Sequence, residues 1–127
     1  MDSYSQTFSI TQAEVAAFAA LTGDANPLHL DAAYAATTAF KRPIVHGMLS
    51  AAVFSKILGM HYPGPGTIYL SQTLQFLRPM FVDIPYTATV TLVELDTAKR
   101  TMRLATIITD DTTKKITLKG EAMVQTG

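Results

Sequence analysis

The sequence predicts an α+β domain in which one antiparallel sheet wraps around one buried helix. Helix-period patterns and most of the alanine fall in the first half of the chain. Beyond the turn-forming stretch Tyr62-Pro63-Gly64-Pro65-Gly66, β-branched and aromatic residues take over. Just before that switch, His46 to Gly59 is apolar nearly all round, as a helix is when it is buried. At 127 residues the chain is expected to form a single domain, residues 1–127, with a proper core and no need of staples.

The elements follow in order. Tyr4 to Ile10 is read as a strand added to those of the second half. Thr11 to Leu21 reads as a helix: Thr11 and Glu14 make a capping box, and Val15, Phe18, Ala19 and Leu21 recur on one face. Gly23 is its natural C-cap. Pro27 is expected to forbid an immediate helix restart, so the stretch up to Leu30 reads as a stiff, bent connection. Asp31 caps a short alanine-rich helix to about Thr37, and Pro43 keeps Phe40 to Val45 a loop. The buried helix, ended by Gly59, comes next. Strands are then expected over Thr67 to Leu77, Tyr86 to Leu95, Thr101 to Thr109 and Lys115 to Gln125. Asp96-Thr97-Ala98-Lys99 and Asp110-Asp111-Thr112-Thr113 read as hairpin turns.

Composition excludes several function classes. Ten basic residues balance ten acidic ones, which argues against nucleic acid as a partner. With no cysteine there are no disulfides, no thiolate chemistry and no Cys-bound zinc, a composition that fits a reducing compartment. The N-terminus lacks the basic start and apolar run of a signal peptide, and no apolar stretch reaches membrane-spanning length, so a soluble cytoplasmic protein with no membrane partner is expected. A hydrophobic share of 48% is high for so small a chain and suggests burial against a second copy.

Chemistry concentrates in Leu21-Thr22-Gly23-Asp24-Ala25-Asn26-Pro27-Leu28-His29-Leu30. Asp24 and His29 on a bent, stiff connection can converge on one small molecule. A carboxylate beside an imidazole is suited to orienting a water and moving its protons. Gly, Asp, Asn and Pro are equally the ordinary residues of a helix-ending turn, so this stretch alone leaves both readings open.

Wider context carries a resemblance. Phe18 to Asp31, the run Arg42-Pro-Ile-Val-His46-Gly47-Met48-Leu49 and the stretch Ile68 to Phe76 together resemble the MaoC-like hot-dog hydratases, in particular the (R)-specific enoyl-CoA hydratases that feed polyhydroxyalkanoate synthesis. The family's Asp and His map onto Asp24 and His29 without a gap. The resemblance implies a hot-dog fold, a homodimer binding an acyl-CoA thioester between subunits, and reversible syn addition of water to a trans-2-enoyl thioester, giving the (R)-3-hydroxyacyl product. It implies no cofactor and no metal.

That reaction needs a water beside C3, a proton for C2 and a stabilised thioester oxygen. Asp24 and His29 supply the first two, in an order the sequence leaves open. Gly47, at the start of the buried helix, is the choice for the oxyanion hole, because free N–H groups and the helix dipole meet there and no side chain blocks approach. A glycine needed for tight packing is the competing reading. His46 is held outside the catalytic set as a structural residue, and His61 as a solvated one. Ser55 is expected on the stripe of Gly47, supporting His29 or the water, with a bond to its own i−4 carbonyl as the alternative. Leu58 is expected to close the acyl pocket, with packing against the sheet alone as the competing reading. Lys41, Arg42, Lys56 and Arg78 lie in a span without carboxylates, Ala32 to Val82, which suits the anionic coenzyme A, though a buried helix and strand have few charged positions in any case.

Three other functions remain in view. A dehydratase acting on (R)-3-hydroxyacyl carrier-protein thioesters would use the same chemistry. An acyl-CoA thioesterase is disfavoured because Met48 to Leu58 contains no Asp or Glu. A non-catalytic acyl-thioester-binding subunit is disfavoured because Asp24 and His29 are both present.

Overall fold

A computed structural model describes residues 2–127. The order of elements is β1 (Ser3–Phe8), α1 (Gln12–Thr22), α2 (Pro27–Leu30), α3 (Ala32–Ala36), α4 (Gly47–Met60), β2 (Ile68–Gln72), β3 (Gln75–Phe76), β4 (Tyr86–Asp96), β5 (Thr101–Asp110) and β6 (Ile116–Gln125). The strands form one six-stranded sheet in the order β1-β4-β5-β6-β2, with β3 also paired to β6. This is the hot-dog arrangement, with α4 as its filling.

The period of two along the strands decides where the core sits. In β5, Met102, Leu104, Thr106 and Ile108 are buried while their neighbours are only half-buried. They share that face of the sheet with Tyr86, Ala88 and Val90 of β4 and with Leu118, Ala122 and Val124 of β6. Helix α4 lays Ala51, Phe54, Ile57 and Leu58 into the same core. Burying side chains as large as Phe54 and Leu58 stabilises by about 1.5–3 kcal/mol each.

Local signals hold where the chain itself supplies the bonds. The Thr11–Glu14 capping box forms, and Gly23 caps α1 at φ 81°, where a glycine is at ease. The Asp31 side chain accepts from the Tyr34 N–H at the start of α3. Asp96 accepts from the Lys99 N–H, and Asp110 from those of Thr112 and Thr113, closing the two hairpins.

Four expectations need correction. Pro27 does not prevent a helix restart: it is the first residue of α2, with the Asn26 side chain accepting from the Leu28 N–H. Proline is at home in that position because its missing N–H would have no intrahelical partner. The strand expected over Thr67 to Leu77 is two strands, broken at Thr73 and Leu74. There the Thr73 carbonyl crosses Gly120 so closely that a Cβ would stand 1.7 Å from its oxygen, so only glycine fits at that position. Gly59 does not end α4, which runs on to Met60. Nor is α4 buried on all sides: Met48, Ala52, Ser55, Lys56 and Met60 form an exposed face.

Among the described residues no helix is long and apolar enough to cross a membrane.

Candidate active site

Asp24 and His29 reach the same place by different routes. Asp24 lies on the exposed link after the α1 cap, and His29 is on the single turn α2, 9% exposed. His46, 2% exposed and the N-cap of α4, joins them, so that one nitrogen or oxygen from each of the three side chains lies within 4.8 Å of the others.

Hydrogen bonds settle how the two imidazoles are used. Nδ1 of His29 stands 2.7 Å from the Ile44 carbonyl. A carbonyl oxygen only accepts, so Nδ1 carries the proton and, in the neutral ring, Nε2 is left as an acceptor. Nε2 of His46 donates to the Asp24 carbonyl at 2.9 Å. Its Nδ1 is enclosed and has no hydrogen-bond partner among the described residues. The two rings stack, 3.9 Å between centroids and 27° between planes, and Phe18 packs on His46 from 4.8 Å.

These groups border a cavity of about 550 Å³. Its other walls are mainly apolar, with Phe40, Ile44, Met48, Phe76 and Pro79 among them. Gly47 lines it as the first residue of α4, where a backbone N–H has no intrahelical carbonyl to bond. A Cβ on Gly47 would stand 2.6 Å from the Phe76 ring. Close packing and an open N–H therefore coincide at this residue.

The remaining expectations separate. Ser55 lines a second cavity of about 400 Å³, bordered also by Ala52, Tyr69, Leu70 and Leu74, and is not brought to Asp24 and His29. Met48 borders both cavities. Eight residues carry a helix about 80° beyond whole turns, which takes Ser55 off the stripe of Gly47. The serine that does face the first cavity is the buried Ser50, whose hydroxyl points at the His46 carbonyl four residues back at 3.4 Å. Leu58, expected to close the acyl pocket, is 1% exposed in the core and borders neither cavity. His61 is not simply solvated: its ring stacks on Tyr4 at 5.2 Å.

Of the four cations noted in the sequence, only Arg78 lines the first cavity, held by a bond from Nη1 to the Ile116 carbonyl at 2.6 Å. Arg42 lies over the Phe81 ring at 3.8 Å. In the second cavity, burial pushes the Tyr69 phenol up to about 12, and its hydroxyl donates to the Gln72 side chain. Sequence reasoning missed Phe76 and Ile44, whose parts depend on contacts between distant segments. For His46 a signal was present: a histidine directly before the glycine that opens the central helix.

Known proteins resemble this chain in sequence and in overall fold. The family model for the MaoC like domain matches residues 3–116. An (R)-specific enoyl-CoA hydratase of Aeromonas caviae is 54% identical over 115 residues, which are 91% of this chain and 80% of that protein. The solved structure of the (R)-hydratase from A. caviae involved in PHA biosynthesis has a TM-score of 0.94 at 48% identity, covering 98% of this chain and 94% of that one. An R-hydratase from Pseudomonas aeruginosa, solved without ligand, has a TM-score of 0.91 at 43% identity, over 98% of this chain and 79% of that one.

Proposed function

This chain belongs to the MaoC-like family, and from that premise we propose that it is an (R)-specific enoyl-CoA hydratase, adding water reversibly and on one face to a trans-2-enoyl-CoA. It is a hydro-lyase of the kind associated with polyhydroxyalkanoate synthesis. The observation that carries the reading is the meeting of Asp24 with His29, whose Nε2 is left as an acceptor, at the wall of a mainly apolar cavity.

In the reaction, a water between the two side chains donates one hydrogen to Asp24 and the other to His29 Nε2. Two acceptors sharing such a water at about 2.8 Å each stand about 4.5 Å apart, and the two side chains each bring a ligand atom within 4.8 Å of the other. As the water oxygen bonds to C3, its proton passes to Nε2 and the π electrons move onto the thioester oxygen. The imidazolium keeps its Nδ1–H on the Ile44 carbonyl, a bond strengthened by the charge. The Gly47 N–H holds the enolate oxygen. C2 then takes a proton from the same Asp24–His29 side, which gives syn addition and leaves the enzyme as it began.

Substrate chemistry fits the walls: apolar side chains for the acyl group and pantetheine, Arg78 for negative charge. No metal or cofactor has a part in this scheme. Hydrolysis of the thioester is not favoured, since α4 brings no carboxylate to the cavity. The protein works as a cytoplasmic homodimer on this reading. Support for the dimer is the free edge of β2, where Ile68, Tyr69 and Leu70 are exposed beside the exposed face of α4. Loss of the conjugated-thioester absorbance of crotonyl-CoA on adding purified protein tests the function; no loss at micromolar enzyme overturns it.

A further inference from the structure

We propose that His46 is a positioning residue that sets the geometry of the Asp24–His29 pair from the N-terminus of the central helix. The inference rests on the hydratase reading and goes beyond it, since the chemistry assigned above gives His46 no step.

The link from Gly23 to Asn26 carries the catalytic carboxylate, yet nearly all its hydrogen bonds are local. Gly23 N–H bonds to Ala19 within the cap of α1, Asp24 N–H to the Thr22 hydroxyl, and Ala25 N–H to Gly23. The Asp24 carboxylate itself receives only a long bond, 3.4 Å, from the Asn26 N–H. Among the described residues, the one hydrogen bond that ties this link to a distant part of the chain comes from His46, Nε2–H to the Asp24 carbonyl. A short exposed link with local bonds alone would leave the carboxylate free over distances that matter to proton transfer, where misplacement by about 1 Å can cost a hundredfold in rate. The tie is anchored in rigid structure, because His46 is buried, N-caps α4 and is covered by Phe18.

The same ring acts on His29. Stacked at 3.9 Å, it leaves the His29 imidazole little freedom to rotate, while the Ile44 carbonyl fixes which nitrogen carries the proton. One side chain thus holds the backbone beneath one catalytic group and the plane of the other. Gly47, the next residue, is the proposed oxyanion donor, so His46 keeps all three in register with the start of α4.

Two substitutions separate the hydrogen bond from the ring. His46→Phe keeps a stacking surface and loses the donor; His46→Gln can place an amide N–H near the position of Nε2 and loses the ring. With crotonyl-CoA, His46→Phe is expected to lower kcat by about ten- to a hundredfold with KM within about threefold, and His46→Gln to recover part of that loss. A folded His46→Phe protein with kcat within threefold of the parent overturns the proposal, as does a glutamine variant no faster than the phenylalanine one.

A measurement on the unaltered protein does not depend on either variant folding. Long-range 15N–1H spectra are expected to find His46 fixed as the Nε2–H tautomer, and an Nδ1–H form or a mixture overturns the proposal. Inactivity of the unaltered protein on crotonyl-CoA would instead overturn the hydratase reading, and the tautomer result would still decide the tie to Asp24.

Discussion

His29 donates from Nδ1 to the Ile44 carbonyl at 2.7 Å, and this bond leaves Nε2 as the acceptor of a ring that borders the cavity beside Asp24. Ile44 lies in the loop before the central helix, and its own N–H bonds back to the Leu28 carbonyl at 3.3 Å. The imidazole is therefore held by two segments that pin one another, and its open nitrogen is an acceptor before any substrate arrives. On the proposed hydratase reading, that acceptor takes the proton of the attacking water.

Asp24→Asn and His29→Ala should each lower kcat on crotonyl-CoA by at least about a hundredfold, since each removes one of the groups that hold the water. Asp24 is exposed, so its variant should keep the parent's melting temperature. Steady-state kinetics beside thermal melts checks both. A folded variant with near-parental turnover would refute the assignment.

Gly47→Ala brings a methyl to within 2.6 Å of the Phe76 ring, so that this ring, which lines the cavity, must shift and reshape its wall. The expected result is a loss in kcat of about tenfold or more with a small change in stability. Adding Phe76→Ala should restore part of the rate. Kinetics of the two single variants and the double measure the coupling.

Leu58→Ala should destabilise the protein by about 2–5 kcal/mol, because the side chain is fully enclosed in the core and its removal leaves a void. Denaturant titration of the parent and the variant reads this directly. A change below about 1 kcal/mol would mean that the site collapses around the loss.

Leu70→Lys, at the free edge beside the exposed face of α4, should turn the expected dimer into a monomer, since an ammonium group on an edge strand opposes pairing with a second sheet. Sedimentation of both proteins at micromolar concentration checks it. A parent that is monomeric and fully active would refute the dimer.

Alkaline titration followed by phenol absorbance should contain a step near pH 12 that Tyr69→Phe removes, because burial holds the Tyr69 phenol up to about 12. In the unfolded chain the same group ionises near 10. The folded state thus keeps its proton longer, and stability should fall as pH rises from about 10 through about 12. Tyr62 and Tyr86, also raised by burial, add to the same fall.

The sequence by itself determined the elements whose signals are local. The Thr11–Glu14 box, Gly23, Asp31 and the two aspartate-started hairpins each make their bonds within a few residues, so composition and spacing were enough. The change from helix to strand period gave the α+β class, and the Asp24-x4-His29 spacing with His46-Gly47 gave the family. Tertiary structure alone decided which face of α4 meets the sheet, and with it that Leu58 packs in the core and Ser55 borders the second cavity. An apolar helix carries no periodic contrast from which to read its orientation. The break between β2 and β3 needed the crossing of Thr73 over Gly120, two residues far apart in the chain. The tautomers of His29 and His46 needed the carbonyls of Ile44 and Asp24, because a histidine's two nitrogens are alike in sequence and become donor and acceptor only when a partner from another segment is set beside one of them.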